Sequence, residues 1–317
     1  MFIDRLIEKI RTTNNPTVAG LDPKIEYVPD FIKSQKFDAF GVTLKGVSEA
    51  ILEFNRTIID SIYDIVPAVK PQLAYYEMYG VEGMRAFDET VKYARDKGLL
   101  VIADGKRNDI GSTSEAYSHA YLGESRLNEH TATVAFHTDA LTVNPYLGID
   151  GIQPFLDDCK KHEKGIFVLV KTSNPSSGQL QDLLLQDNRT VYDAVADLVI
   201  TWGKDLIGAH GYSSVGAVVG ATWPVQAKEL RQRMPFTYFL VPGYGAQGGT
   251  AQDIAVNFNQ DGLGAIVNAS RSLMCAYQSE RWKDSFSPLQ FGDACRMEAI
   301  RMRDDINAAI GGSHASL

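Results

Sequence analysis

Eight short runs rich in β-forming residues, each followed by a helical pattern, constrain this 317-residue chain more than any other feature. The runs are 17–21 (TVAGL), 65–73 (IVPAVKPQL), 99–103 (LLVIA), 139–143 (DALTV), 165–170 (GIFVLV), 215–220 (VGAVVG), 238–241 (YFLV) and 264–267 (GAIV). Helices are predicted between them over 47–64, 80–97, 114–122, 151–162, 189–206 and 250–259, with another opening at Pro224. Such alternation marks an α/β protein with a parallel sheet. Eight units with no linker or low-complexity break predict one closed (β/α)₈ TIM barrel, a single domain over 1–317 with its core at about 17–310. An open doubly wound sheet is the rival, but the glycine fingerprint of a dinucleotide fold is missing after the first strand.

Phe2, Ile3, Leu6, Ile7 and Ile10 form a helical stripe that predicts an opening helix closing the barrel bottom. Residues 24–45 read as an irregular functional insertion, longer than most connections in compact domains. A polar crossover with a helical turn is expected after 122, and a polar flap over 176–188. A last helix over 292–310 should end at Gly311-Gly312, leaving a disordered tail over 311–317. Hydrophobic content of 44% with 22% charged residues describes a globular chain with ample core. The net charge of −8, with no basic run, argues against a nucleic-acid partner. Cys159, Cys275 and Cys295 show neither CxxC nor Cys/His spacing, so no disulfide framework or zinc site is expected and a reducing compartment fits. The opening MFIDRLIEKIRTT lacks a signal peptide's apolar core, and no run approaches the ~20 apolar residues that span a bilayer. The expected location is cytoplasmic, away from membranes.

Chemistry concentrates at the strand exits. The run 99–113, LLVIADGKRNDIGST, passes from a buried strand straight into Asp104, Lys106 and Asp109. Asp104 and Lys106 lie two apart and share a face, and a turn could bring Asp109 back to the same ammonium. A solvated loop is the alternative, but charges at a core strand's exit are the habit of barrel active sites. Carboxylates beside an ammonium favour its charged form, so Lys106 is poised to give a proton rather than to attack. Asp22 stands at the first exit, either as a site carboxylate or as a turn cap. Lys70 interrupts an apolar strand; it either snorkels outward or pairs with Asp104 and Asp22, since lysine is rarely buried alone. The run 242–249, PGYGAQGG, follows the seventh strand with Gly243, Gly245 and Gln247, and Arg271 follows the eighth. Glycines admit phosphate oxygens to the backbone, and an arginine fork matches them, at this fold's usual phosphate position. A nucleoside-triphosphate loop would need GxxxxGK[ST], which this is not.

Together these residues resemble the orotidine 5′-phosphate decarboxylase family, in its longer bacterial-type branch. The motif DxKxxDI stands as Asp104-Gly105-Lys106-Arg107-Asn108-Asp109-Ile110. It is joined in family order by Leu21-Asp22-Pro23, Lys70, Thr172-Ser173-Asn174-Pro175, PGYGAQGG and Ser270-Arg271, covering about 17–272. Gly111 and Ser112 depart from the commoner DIPNT wording. The resemblance implies cofactor-free decarboxylation of orotidine 5′-phosphate (OMP) to UMP and CO₂ in pyrimidine biosynthesis, with no metal. It implies that Lys106 protonates C6, that Asp104 faces the substrate carboxylate, and that Lys70 holds Asp104 and a ribose hydroxyl. Asp22 would bind the ribose, Ser173 would contact the base and meet Gln247, and Gln247 with Arg271 would hold the phosphate. Asp109, Ile110 and Thr113 would reach the neighbouring subunit's site, which implies a homodimer.

Three other readings compete. A magnesium-dependent sugar-phosphate decarboxylase or aldolase shares DxKxxD, but would place a metal-binding carboxylate on strand two, where Lys70 stands. Schiff-base chemistry at Lys106 is disfavoured by its acidic flanks. A catalytically dead phosphate-binding barrel would have no use for the intact charged set. His137 and His210 lack partners at metal-ligand spacing, and Trp202, Trp223 and Trp282 read as packing. Asn144 and Thr222 sit at strand exits without an assignable contact.

Overall fold

A computed structural model describes residues 1–245 and 248–314. Its barrel strands, numbered along the chain, are β1 (Thr17–Leu21), β2 (Ala68–Pro71), β3 (Leu100–Arg107) and β4 (Ala140–Val143). They continue as β5 (Gly165–Lys171), β6 (Ser213–Val219), β7 (Thr237–Pro242) and β8 (Ala265–Ala269). Each pairs in parallel with its neighbour in sequence, and β8 closes on β1 through Thr17↔Val267 and Ala19↔Ala269. Parallel strands covered on both faces have no solvent side, which is why β1, β2, β4, β6 and β8 are buried throughout.

Inside the barrel, Val18, Ala68, Ile102, Ala140, Phe167, Val218, Leu240 and Ile266 supply one floor residue from each strand. The helix Phe2–Thr13 presses its predicted stripe against this floor from below. Phe2 meets Phe167 edge-on, with ring centroids 6.1 Å apart. Outside, the helix Phe291–His314 lies on the helix Leu44–Ile62, where Phe54 and Phe291 stack at 5.1 Å.

The departures from expectation fall between the strands. Residues 24–45 are not irregular: they hold a 3₁₀ turn, Ile25–Tyr27, and a helix, Asp30–Phe40. Ile32 is the one buried residue of that helix, so no apolar stripe announced it. The crossover after 122 carries a two-stranded antiparallel pair, Ser125–Arg126 with Ala132–Thr133, in place of a helical turn. The helix predicted over 250–259 is only Ala251–Ala255. The last helix runs through Gly311 and Gly312 to His314, because neither glycine adopts the left-handed backbone that ends helices. The rest of the expected tail, 315–317, lies outside the described residues. Among the described residues no helix is long and apolar enough to cross a membrane.

Candidate active site

Because side chains on a strand alternate, the residues two beyond the floor look into the barrel mouth. On β2, β3, β4 and β8 these are Lys70, Asp104, Thr142 and Asn268, and all four line a cavity of about 670 Å³. An apolar floor is thus capped directly by a polar layer. Lys70 Nζ lies 2.6 Å from Asp104 Oδ2, and Lys106 Nζ lies 2.6 Å from Asp104 Oδ1. Thr142 Oγ1 donates to the same Oδ1 at 2.9 Å. Asp104 therefore sits between two ammoniums, where the sequence suggested one ammonium between two carboxylates.

Burial opposes ionisation of Asp104, but Lys70 and Lys106 outweigh it and hold the carboxyl well below the usual carboxylate range. Burial likewise works against a charged Lys70, and Asp104 with Asp22 more than restores it, raising its pKa. The two lysines differ in what they face. The Lys70 side chain is 5% exposed, whereas that of Lys106 is 45% exposed and looks into the cavity. Asp22, at the end of β1, is raised instead: its burial exceeds the pull of Lys70. Asp22 lines the cavity, and its Oδ1 is buried with no hydrogen-bond partner among the described residues.

The loops after β7 and β8 also border the cavity. Arg271, directly after β8, is exposed and lines the cavity together with Gly243. Gly243 and Gly245 have φ of 105° and 71°, values that a side chain would strain. Gly245 lies outside the lining, and Gln247 lies outside the described residues. Ser173 lines the cavity at the end of β5, and its segment is fastened from β6. Thr222 Oγ1 donates to the Ser173 carbonyl at 3.0 Å, and the Trp223 indole donates to the Thr172 carbonyl at 2.9 Å. Thr222 and Trp223 thus shape the wall, while the Asn144 side chain accepts from the Tyr146 amide at 3.0 Å and its own amide donates to the Arg107 carbonyl at 3.0 Å.

Asp109 does not turn back to Lys106 of its own chain. Its Oδ1 accepts from the Ile110 amide at 2.8 Å, and neither Asp109, Ile110 nor Thr113 lines the cavity. Ile110 and Thr113 are exposed. The left-handed backbone at Lys106, with φ 47°, turns the chain away after the lysine.

Sequence reasoning missed Thr142, Asn268 and Lys171. Alternation from the floor residues Ala140 and Ile266 would have found the first two. Lys171 ends β5 fully buried, 2.5 Å from Asp182 and 4.7 Å from the Trp223 ring centre.

A closed barrel with a carboxylate between two ammoniums at its mouth, facing a glycine loop and an arginine, defines a (β/α)₈ enzyme with a preset electrostatic site. The chain belongs to the orotidine 5′-phosphate decarboxylase / HUMPS family, whose family model matches residues 47–281. It is 42% identical to orotidine 5′-phosphate decarboxylase of Caldicellulosiruptor bescii over 309 residues, 98% of this chain and 99% of that one. The enzyme of the same name from Rhodopirellula baltica is 43% identical, over 96% of this chain and 98% of its own. The solved OMP decarboxylase of Leishmania donovani superposes with a TM-score of 0.71 at 29% identity, covering 98% of each chain.

Proposed function

We propose that this chain decarboxylates OMP to UMP and CO₂ without a cofactor, with Lys106 as the proton donor to C6. The observation that carries the reading is the Lys70–Asp104–Lys106 array, with both ammoniums 2.6 Å from one buried carboxylate. When the C6–carboxylate bond breaks, its electron pair stays on C6, in an orbital with little delocalisation into the ring. A fixed ammonium stabilises that localised charge with little reorganisation, because the site holds it in place beforehand. Its proton then passes to C6, CO₂ departs, and the lysine regains a proton from solvent. Asp104 faces the leaving carboxylate, and Lys70 keeps Asp104 charged.

Asp22, a carboxylate on the cavity lining, suits a ribose hydroxyl. Arg271, Gln247 and the loop bearing Gly243 and Gly245 take the phosphate, far from C6, so that binding energy spent there closes the site. Ser173 meets the base. Asp109, Ile110 and Thr113 complete the site of a second copy in a homodimer. That assignment is supported by Met78, Val81, Ile110, Tyr146 and Leu147, exposed apolar residues on the connections after β2, β3 and β4. Three buried free cysteines suit a reducing cytoplasm.

The test is loss of the orotate-ring absorbance on incubation with OMP, in excess EDTA and again with borohydride. Turnover unaffected by EDTA, with no trapped adduct, is the expected result. No turnover of OMP would sink the proposal; loss in EDTA would favour the metal-dependent rival. Mixing Lys106→Ala with Asp109→Ala chains should restore about one quarter of the native sites, as random exchange within dimers requires. Silence in that mixture, with exchange verified, would remove the shared site.

A further inference from the structure

The β3–β4 ladder breaks its register at the site. Ala103 pairs with Leu141 and Arg107 with Val143, so Asp104, Gly105 and Lys106 together oppose Thr142 alone. A bulge of this kind re-aims side chains and leaves backbone groups without ladder partners. Lys106 takes φ 47° inside it, a conformation costly for a residue with a Cβ.

Thr142 is buried and fills the gap on both sides. The Lys106 amide donates to Thr142 Oγ1 at 2.9 Å. An ionised carboxylate can only accept, so the hydroxyl proton is directed to Asp104 Oδ1, also at 2.9 Å. Asp104 Oδ1 in turn receives Lys106 Nζ at 2.6 Å. The result is a closed ring of hydrogen bonds that begins at the backbone of Lys106 and ends at its own ammonium. A lysine side chain has four rotatable bonds and many rotamers. Here one threonine hydroxyl secures the amide from which that side chain grows and the carboxylate that receives its tip.

On the decarboxylase reading above, we infer that Thr142 is a positioning residue for the proton donor: its hydroxyl sets where Lys106 Nζ sits relative to C6. It does so through Asp104 and the Lys106 backbone, without itself exchanging a proton with substrate. Valine preserves the shape and removes the hydroxyl, while serine keeps the hydroxyl and removes the methyl.

The experiment measures kcat, KM and UMP affinity for the unmutated protein, Thr142→Val and Thr142→Ser, with Tm as a fold check and Thr142→Ala in reserve should the valine variant not fold. Hydrogen bonds to charged groups and the tenfold-per-1.4 kcal/mol relation predict that Thr142→Val lowers kcat about ten- to hundredfold. KM and UMP affinity should stay within about threefold, and Thr142→Ser should return kcat to within about threefold of the parent. A valine or alanine variant with parental kcat would overturn the inference, as would a serine variant as slow as the valine one, or a loss confined to KM. Absence of turnover in the unmutated protein would instead overturn the decarboxylase reading, so the two failures are distinct.

Discussion

The two ends of the barrel each bury an aspartate among cations, and they use it differently. At the bottom, Asp139 precedes β4 and accepts from Arg5 at 2.9 Å, Arg95 at 3.5 Å and the Val101 amide at 3.0 Å. These bonds tie the first helix, the helix Gly80–Asp96 and β3 to one point. Both arginines are well exposed, so each charge keeps water on its outer side. At the mouth, Asp104 is held directly by Lys70 and Lys106, and Asp22 and Asn268 line the same cavity. A carboxylate whose partners are satisfied or solvated joins elements together. One with a cation exposed to a cavity, as Lys106 is, holds an electrostatic field where a ligand would sit. The contrast is one of exposure to a cavity, not of charge.

Truncating one residue at each end of the barrel should separate the two roles. Lys106→Ala should lower kcat by at least about 10³-fold, the scale of a lost proton donor and charge stabiliser, while Tm stays near the parent. Asp139→Ala should do the reverse, lowering stability by about 1–3 kcal/mol in denaturant titration with kcat per folded molecule unchanged. The range stays modest because both arginines can rehydrate. If the two variants cannot be told apart by activity and melting, the two aspartates do not serve different roles.

Arg271→Ala comes next in size. It should lower kcat/KM about 10²-fold through lost charge-assisted contacts. Phosphite dianion should activate the unmutated protein on a substrate without its phosphate, and the variant should lose that response. No activation of the parent would contradict an anion grip on that wall.

A smaller effect is expected at Asp22. Burial raises the Asp22 carboxyl above its ordinary value, so the folded state favours the protonated form more than the unfolded chain does. That contribution to stability is complete below the unfolded value and is lost as pH rises through the folded one. Asp22→Asn should therefore raise Tm at pH 7, on the order of 1–2 °C for a chain of this size, with the gain vanishing in acid. KM for OMP should rise in the same variant. A Tm that falls at pH 7 would show that ionised Asp22 is compensated by its surroundings. Asp104 has the opposite sign, being held low, so its contribution is present above the ordinary carboxylate range and fails as pH drops through its folded value.

Much of this was legible in the letters because the signals were local. β-forming runs separated by helical patterns located all eight strands, and β1 and the helix Gly80–Asp96 fall within a residue of their expected bounds. Asp104, Lys106 and Lys70 stood out as charges on or beside apolar strands. The helix Asp30–Phe40 was invisible because it buries almost nothing, and the paired strands near 125 and 132 because two residues make no pattern. Thr142 and Asn268 were passed over as neutral residues whose importance lies in which way they face. Lys171 was legible as a charge at a strand end, but its burial depends on Asp182 from the following flap.

Strand–helix periodicity and the placement of charges at strand exits were determined by the sequence itself, since both follow from neighbours along the chain. Which charge faces which was decided only when the barrel closed. Lys70 and Asp104 are 34 residues apart and meet because β2 and β3 are adjacent staves. The β3–β4 bulge, the left-handed turn at Lys106 and the threonine that spans them depend on register, a relation between strands that neither strand encodes alone.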